Sequence, residues 1–577
     1  MSTPPPSNER TQIARPAEDG DPSFAWTLTN SSVSDTVRLI AGPFDVLPVI
    51  FVPGIMGSNL KSKDSGAAVW RLDAGLGGIP WGMLRGFATR GPGARQKLLH
   101  PDRCTVDDGG SVPGRLVGSV HSKEQYRRRG WGTVGEGSYH KFLLWLEEQL
   151  NPAARNPALW TDYYQDQATI GAPRQPGEEP RLFPGIRMGI KGQPFDAEKP
   201  FVSIMTDDLL ARSKFLMPVH AVGYNWLASN RDAAALLKQR ILDIIKENNG
   251  GTYRCEQVVL VTHSMGGLVA RACAQLPGME ERIAGIVHGV MPAVGAAVAY
   301  RRCKIGMRDE DFGAGLVIGS TGQEVTSVFS QAPGALQLLP SQTYSADWLR
   351  VQGPDGGIAE SWPAASAGGN DPYEAIYKRQ DRWWGLVNDA WLSPTGGQPI
   401  RWATFEKNVD KAKEFHADLI GKYHPRTYAY YGADKKQMSF EKVTWRMAKG
   451  IAPDANRPPS VPAVLGMTPE QVRMDGSTPE YVGGKTEVAT FAMPDGGGAT
   501  VYDSSYWELH CELQDGSGDG TVPLSSGAAP LAQGGAAIQQ QFKLTGFGHE
   551  PAFKDGVAQR ATLYAITKIT GQARRPE

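Results

Sequence analysis

The chain has 577 residues, 41% of them hydrophobic, enough for three or four average domains or for one large core with long insertions. Its 60 basic and 60 acidic residues cancel, which argues against nucleic acid as a partner and leaves apolar contact to hold any membrane surface. The five dispersed cysteines, with no C-x-x-C pair, read neither as a disulfide framework nor as a zinc site, and Cys255 and Cys273 are expected to be buried thiols.

In chain order, residues 1–40 lack the basic start and apolar stretch of a signal peptide and read as a flexible, solvated tail. Synthesis in the cytoplasm without classical export is the expectation. The first apolar run is LPVIFVPG, Leu47 to Gly54, and the second is MPVHAVGYNW, Met217 to Trp226. VVLVTHS, Val258 to Ser264, then IAGIVHGV, Ile283 to Val290, and later RTYAYYGA, Arg426 to Ala433, complete a set typical of buried parallel strands. Asn230 to Asn249 carries its apolar residues at Ala234, Leu237, Ile241, Ile244 and Ile245, the spacing of a helix with one buried face. Strands alternating with amphipathic helices predict an α/β fold, a mostly parallel sheet covered on both faces. Ile283 to Tyr300 lacks Asp, Glu, Lys and Arg for eighteen residues, yet its His288 and Pro292 favour a buried strand followed by an apolar loop over a membrane span.

Long intervals break this rhythm. The reading is one discontinuous core (41–60, 216–300, 421–434 and 506–577) with insertions at 61–215, at 301–420 and at 435–505. The first insertion contains one clear amphipathic helix, Tyr139 to Leu150; the second is expected to act as a cap or lid. Within it, Leu316 to Leu339 is apolar enough either to cover an acyl chain or to pack in the core.

Chemistry concentrates in three places. VVLVTHSMGG leads from a strand into the helical LVARACAQ, the strand–turn–helix context of a nucleophile elbow, so Ser264 is the expected nucleophile. The N–H of Met265 would then face the developing oxyanion, at a helix N-terminus. Thr262 replaces the first Gly of the usual G-x-S-x-G and is the misfit in the pattern. The loop Pro53 to Ser58 follows the first strand, where the fold takes its second oxyanion donor; Ile55 is the first choice and Met56 the second. Acid and base should follow the nucleophile in that order. GDGTVP places Asp519 between glycines, and LTGFGHEPAF places His549 on a loop after a strand-like segment, with Asp434 the competing acid.

With these motifs assembled, the chain resembles the lecithin:cholesterol acyltransferase-like and GPI-inositol-deacylase-like lipases. The shared pieces are VPG-x-x-GS-x-L at Val52 to Leu60, GY-x-W at Gly223 to Trp226, HSMGG at His263 to Gly267, LLP at Leu338 to Pro340, GDGTVP at Gly518 to Pro523, and His549-Glu550. The resemblance implies an α/β-hydrolase fold and a serine lipase or phospholipase acting on membrane lipids through an acyl-enzyme, with no metal or organic cofactor. The missing signal peptide and long insertions look more like lipase effectors of the bacterial type VI secretion system. That likeness implies delivery outside the cell, transient contact with a membrane surface, an immunity protein and a secretion-spike protein as partners. Competing readings are a soluble carboxylesterase or neutral-glyceride lipase with the same triad, an acyltransferase, and a binding protein on a catalytically dead hydrolase fold.

Overall fold

In the computed structural model, the described residues are the strands 9–13, 15–16, 22–23 and 36–40, followed by 44–71, 90–114, 121–151, 181–183, 186–187, 196–202, 204, 206–307, 319–365, 370–449, 459–483, 486–492, 498–503 and 506–575. Seven strands build the central sheet: β1 (Val49–Val52), β2 (Asp196–Ala197), β3 (Val219–Ala221), β4 (Val258–His263), β5 (Ile283–Gly289), β6 (Thr427–Gly432) and β7 (Ile538–Leu544). They lie in the order β2-β7-β6-β5-β4-β1-β3. Every pairing is parallel except that of the edge strand β2, which runs antiparallel to β7.

Alternation along the strands divides the core into two layers, because successive side chains leave opposite faces of a sheet. Ile50, Val52, Val258, Leu260 and Ile286 face one cluster, and Val49, Phe51, Val259, Val261 and Val287 face the other. Helices packed into these two clusters include α1 (Lys141–Leu150), α2 (Asn230–Glu247), α3 (Gly266–Ala274), α4 (Gly322–Phe329), α5 (Trp402–Leu419), α6 (Leu524–Gly534) and α7 (Gly556–Thr570). α2 and α3 cover the first cluster through Leu237, Ile241, Ile244, Leu268 and Val269. α1 and α7 cover the second through Phe142, Leu146, Leu563, Ile566 and Ile569. Both faces are shut from water, which is why the strand sequences are continuously apolar rather than alternating. β4 and β5 are buried at every residue.

The five apolar runs read as strands all enter this sheet, and α2 occupies all but the last two residues of the helix expected over 230–249. Ile283 to Tyr300 divides into β5, a loop and the start of a helix at Val298–Ile305. Among the described residues no helix is long and apolar enough to cross a membrane.

The segment 1–40, expected to be a tail, carries two short strand pairs, 9–13 with 36–40 and 15–16 with 22–23. β2, from within the interval 61–215, supplies the sheet edge. The later intervals meet in a second sheet of six strands, ordered 358–362, 349–352, 443–449, 506–511, 480–483 and 472–473. Residues 506–511, assigned to the core from sequence, belong to this second sheet.

Of the stretch Leu316 to Leu339, 316–318 lie outside the described residues. The rest forms α4 and a short turn of helix at Pro333–Leu336, with Val325, Val328, Ala335, Leu336 and Leu339 buried. Polar contacts tie it down on both sides. The Gln331 amide donates to the carbonyls of Gln96 and Leu99, and the Gln337 carbonyl accepts from His416 Nε2. All five cysteines are buried thiols. Burial pushes the Cys255 and Cys273 thiols up to about 12.

Candidate active site

Between β1 and β4 the chain changes its direction of winding. β3 lies on the far side of β1, and β5 and β6 lie beyond β4. In open α/β sheets such a switch point opens a crevice at the carboxyl ends of the strands. The loop 53–58 leaves β1 there, and Ser264 leaves β4 there.

Ser264 has φ +51°, a left-handed conformation that few residues with a side chain adopt. Its N–H donates to the Gly289 carbonyl at 3.0 Å, which fixes the turn against β5. The following helix starts so close to β1 that a Cβ on Gly266 would lie 2.4 Å from the Val52 carbonyl oxygen. That explains the small residue after Met265. Thr262, the misfit, sits wholly buried inside β4 with its hydroxyl 2.9 Å from Nδ1 of His288 on the neighbouring strand. Its place is filled by a sheet contact, so the first Gly of the common pattern is not needed for helix–strand clearance here. Burial holds the His288 imidazole down at about 3, so the ring is neutral.

Three side chains from distant parts of the chain converge. Ser264 Oγ is 2.8 Å from His549 Nε2, and His549 Nδ1 is 2.8 Å from Asp519 Oδ2. The second carboxylate oxygen of Asp519 accepts the N–H groups of Thr521 at 3.0 Å and Val522 at 2.7 Å. Asp519 is buried at 1% exposure, whereas the His549 side chain keeps 15%, so solvent reaches the histidine but not the carboxylate behind it. Gly520, at φ +91°, makes the turn that aims the carboxylate inward. Asp434 does not reach His549. Its carboxylate accepts the N–H groups of Lys436 and Gly546, the latter at 3.0 Å on the loop that carries His549.

The loop after β1 presses on the serine. A Cβ on Gly54 would lie 3.0 Å from Ser264 Cβ and from His263 Nδ1, so a side chain there would push on the serine or on its neighbour. Four further contacts hold this loop. The Gly57 N–H donates to the Gly54 carbonyl, Trp70 Nε1 donates to the Met56 carbonyl at 2.7 Å, the Tyr224 hydroxyl donates to the Pro53 carbonyl at 2.9 Å, and the Tyr224 N–H donates to Ser58 Oγ at 3.0 Å. The GY-x-W motif thus acts by clamping the PG-x-x-GS loop. Among the described residues, the backbone N–H groups of Ile55, Met56 and Met265 have no acceptor. Met56 adopts φ +63°.

Two residues near this cluster were not singled out by sequence. Tyr139, on the turn Glu136–His140 that leads into α1, places its hydroxyl 2.9 Å from His263 Nδ1 and accepts the Gly54 N–H at 3.3 Å. His263 Nε2 lies 3.0 Å from the carbonyl oxygen of His549. In sequence Tyr139 counts only as the first residue of an amphipathic helix, and His263 only as part of HSMGG. The one visible signal is a histidine at the end of a buried, mostly apolar strand beside the serine.

Comparison with known proteins agrees with this architecture. A family model described as "PGAP1-like alpha/beta domain" matches residues 219–304, the stretch from β3 through the elbow and β5. The solved structure "The crystal structure of Tle4-Tli4 complex" matches at 31% sequence identity and a TM-score of 0.66, covering 92% of this chain and 99% of that one. No curated protein matches the chain.

Proposed function

The chain belongs to the α/β-hydrolase family of Tle4 in that complex, and from this premise we propose that it is a serine lipase cleaving carboxylic esters of membrane lipids through an acyl-enzyme. The observation that carries the reading is the unbroken line from Ser264 Oγ through the His549 ring to Asp519, at 2.8 Å on each link, with the serine on a strained turn.

In the proposed reaction His549 Nε2 takes the Ser264 proton as Oγ attacks the ester carbonyl. Asp519 holds Nδ1–H and stabilises the imidazolium that forms. The Met265 and Ile55 N–H groups, which have no acceptor among the described residues, supply the hydrogen bonds to the oxyanion. The tetrahedral intermediate collapses, His549 returns its proton to the departing alcohol or lysolipid, and the serine remains acylated. Water then gives a proton to His549 as its oxygen adds to the acyl carbonyl; the bond to Ser264 Oγ breaks, His549 returns the proton to that oxygen, and the fatty acid leaves. No metal or organic cofactor takes part in these steps.

Tle4 is held in complex with Tli4 in the matched structure, which supports a corresponding partner for this chain. We assign that partner the role of an immunity protein, with type VI secretion as the delivery route. The test is product analysis on phosphatidylcholine and phosphatidylglycerol vesicles beside p-nitrophenyl butyrate. Release of free fatty acid from vesicles, abolished in Ser264→Ala, is the expected result. Cleavage of the soluble ester alone would replace the lipase reading with that of a carboxylesterase.

A further inference from the structure

A buried chain of hydrogen bonds runs behind the reacting groups, and none of the proposed steps uses it. It starts at Gly54, whose N–H donates to Tyr139 Oη at 3.3 Å, and ends at the main chain of His549. The ring of His263 joins the two halves. Its Nε2 faces the His549 carbonyl, which can only accept, so Nε2 carries the hydrogen. Burial, reinforced by the neighbouring His549, holds His263 at about 3 and keeps the ring neutral. Nδ1 is therefore bare and accepts the Tyr139 O–H at 2.9 Å. Each hydrogen in the chain has one place, and the direction runs Gly54 to Tyr139 to His263 to His549.

The two ends matter because each closes on Ser264, Gly54 against its Cβ and His549 against its Oγ. Gly54 precedes Ile55 in the oxyanion loop, and His549 is the general base. Ser264 itself follows His263 directly, so the link passes through the residue that anchors the nucleophile. We infer that Tyr139 and His263 are positioning residues, which hold the oxyanion loop and the His549 loop in one fixed arrangement around Ser264. This inference rests on the acyl-transfer assignment of Ser264, Ile55 and His549. It also gives the interval 61–215 a part in the reaction, since Tyr139 enters the site from it.

The packing of these rings is separable from their hydrogen bonds. Tyr139 leans on Phe51 with ring centroids 4.8 Å apart, and His263 meets Phe553 at 5.6 Å, contacts that a phenylalanine would keep. The hydroxyl is tightly enclosed; a Cβ on Gly57 would lie 2.6 Å from it. Removing it frees the Gly54 N–H and His263 Nδ1 together. A displacement of under an ångström at an acyl-transfer site lowers turnover by about tenfold or more.

The test is a double-mutant cycle on p-nitrophenyl butyrate with Tyr139→Phe, His263→Phe and the pair, each checked by thermal unfolding. The expected result is kcat lowered about tenfold in each single variant, with KM within about twofold, the signature of a loss confined to the transition state. Because one chain is cut at either place, the double variant should fall no further than the weaker single variant. A Tyr139→Phe enzyme with kcat within about twofold of the parent overturns the proposal, as does a double variant whose loss is the product of the two. If His263→Phe does not fold, the kcat and KM of Tyr139→Phe alone decide between these outcomes. A parent protein that neither turns over the ester nor reacts with a fluorophosphonate at Ser264 would instead remove the reading beneath it.

Discussion

Ser264 combines two demands that conflict in most residues. Its side chain must stand clear of the sheet, and its backbone must turn from β4 into α3 across only Ser264 and Met265, and Ser264 takes φ +51°. A residue with a Cβ in that region carries about 1 kcal/mol of strain or more, and glycine carries little. Ser264→Ala and Ser264→Gly should both be inactive, yet differ in stability. Chemical denaturation is expected to place Ser264→Gly about 1 kcal/mol above Ser264→Ala. Equal midpoints would show that the turn is not strained. The members of the candidate site were legible where they depend on local spacing: Ser264, Asp519 and His549, which the fold brings together, stand in loops whose glycines announce a turn. It was not legible where contacts are non-local. Neither the clamp of Tyr224 on Pro53 nor the contact of Tyr139 with His263 leaves a periodic trace, because 171 and 124 positions separate the partners.

Among the elements, α1 shows how an inserted helix is fastened to the core. Glu147 is buried on it, and its carboxylate meets Arg129 Nη1 at 3.0 Å, His121 Nε2 at 2.9 Å and the Val219 N–H of β3 at 2.9 Å. Burial alone would raise its pKa, but Arg129, His121 and the Val219 N–H outweigh that and hold it at about 2. A carboxyl whose folded pKa lies below its unfolded value near 4.5 contributes stability above that value and loses it as pH falls toward about 2. Thermal unfolding between pH 5 and pH 2, a range set by those two pKa values, should show about 3 kcal/mol lost through this group. Glu147→Gln should be less stable at pH 7 and flatter across the acid range. An unchanged acid slope would contradict the assignment. Elements such as β1, β4 and β5 were readable because burial on both faces makes them continuously apolar. The two-residue β2 is too short to carry a pattern, and the second sheet pairs 349–352 with 443–449 across some ninety positions, so its strands gave no local sign of belonging together.

At the scale of the whole molecule, the balance of 60 basic and 60 acidic residues bears on how a lipid surface would be met. A protein held by charge to an anionic bilayer loses affinity steeply as salt rises, whereas apolar contact is barely screened. Sedimentation with vesicles should therefore show binding that changes less than about twofold between low and high salt, and that is similar for zwitterionic and anionic lipid. Strong salt dependence would mean that a local basic patch, hidden in the overall balance, directs the contact.

All of the functional reading depends on one bond forming. The acyl-enzyme account requires Ser264 Oγ to be the nucleophile, with His549 at 2.8 Å to take its proton. Treating the protein with a fluorophosphonate and mapping the adduct by peptide mass spectrometry tests this directly. The account predicts a single stoichiometric adduct on the peptide containing Ser264, lost in Ser264→Ala and strongly slowed in His549→Ala. An adduct on another residue, or labelling that persists in Ser264→Ala, would contradict it.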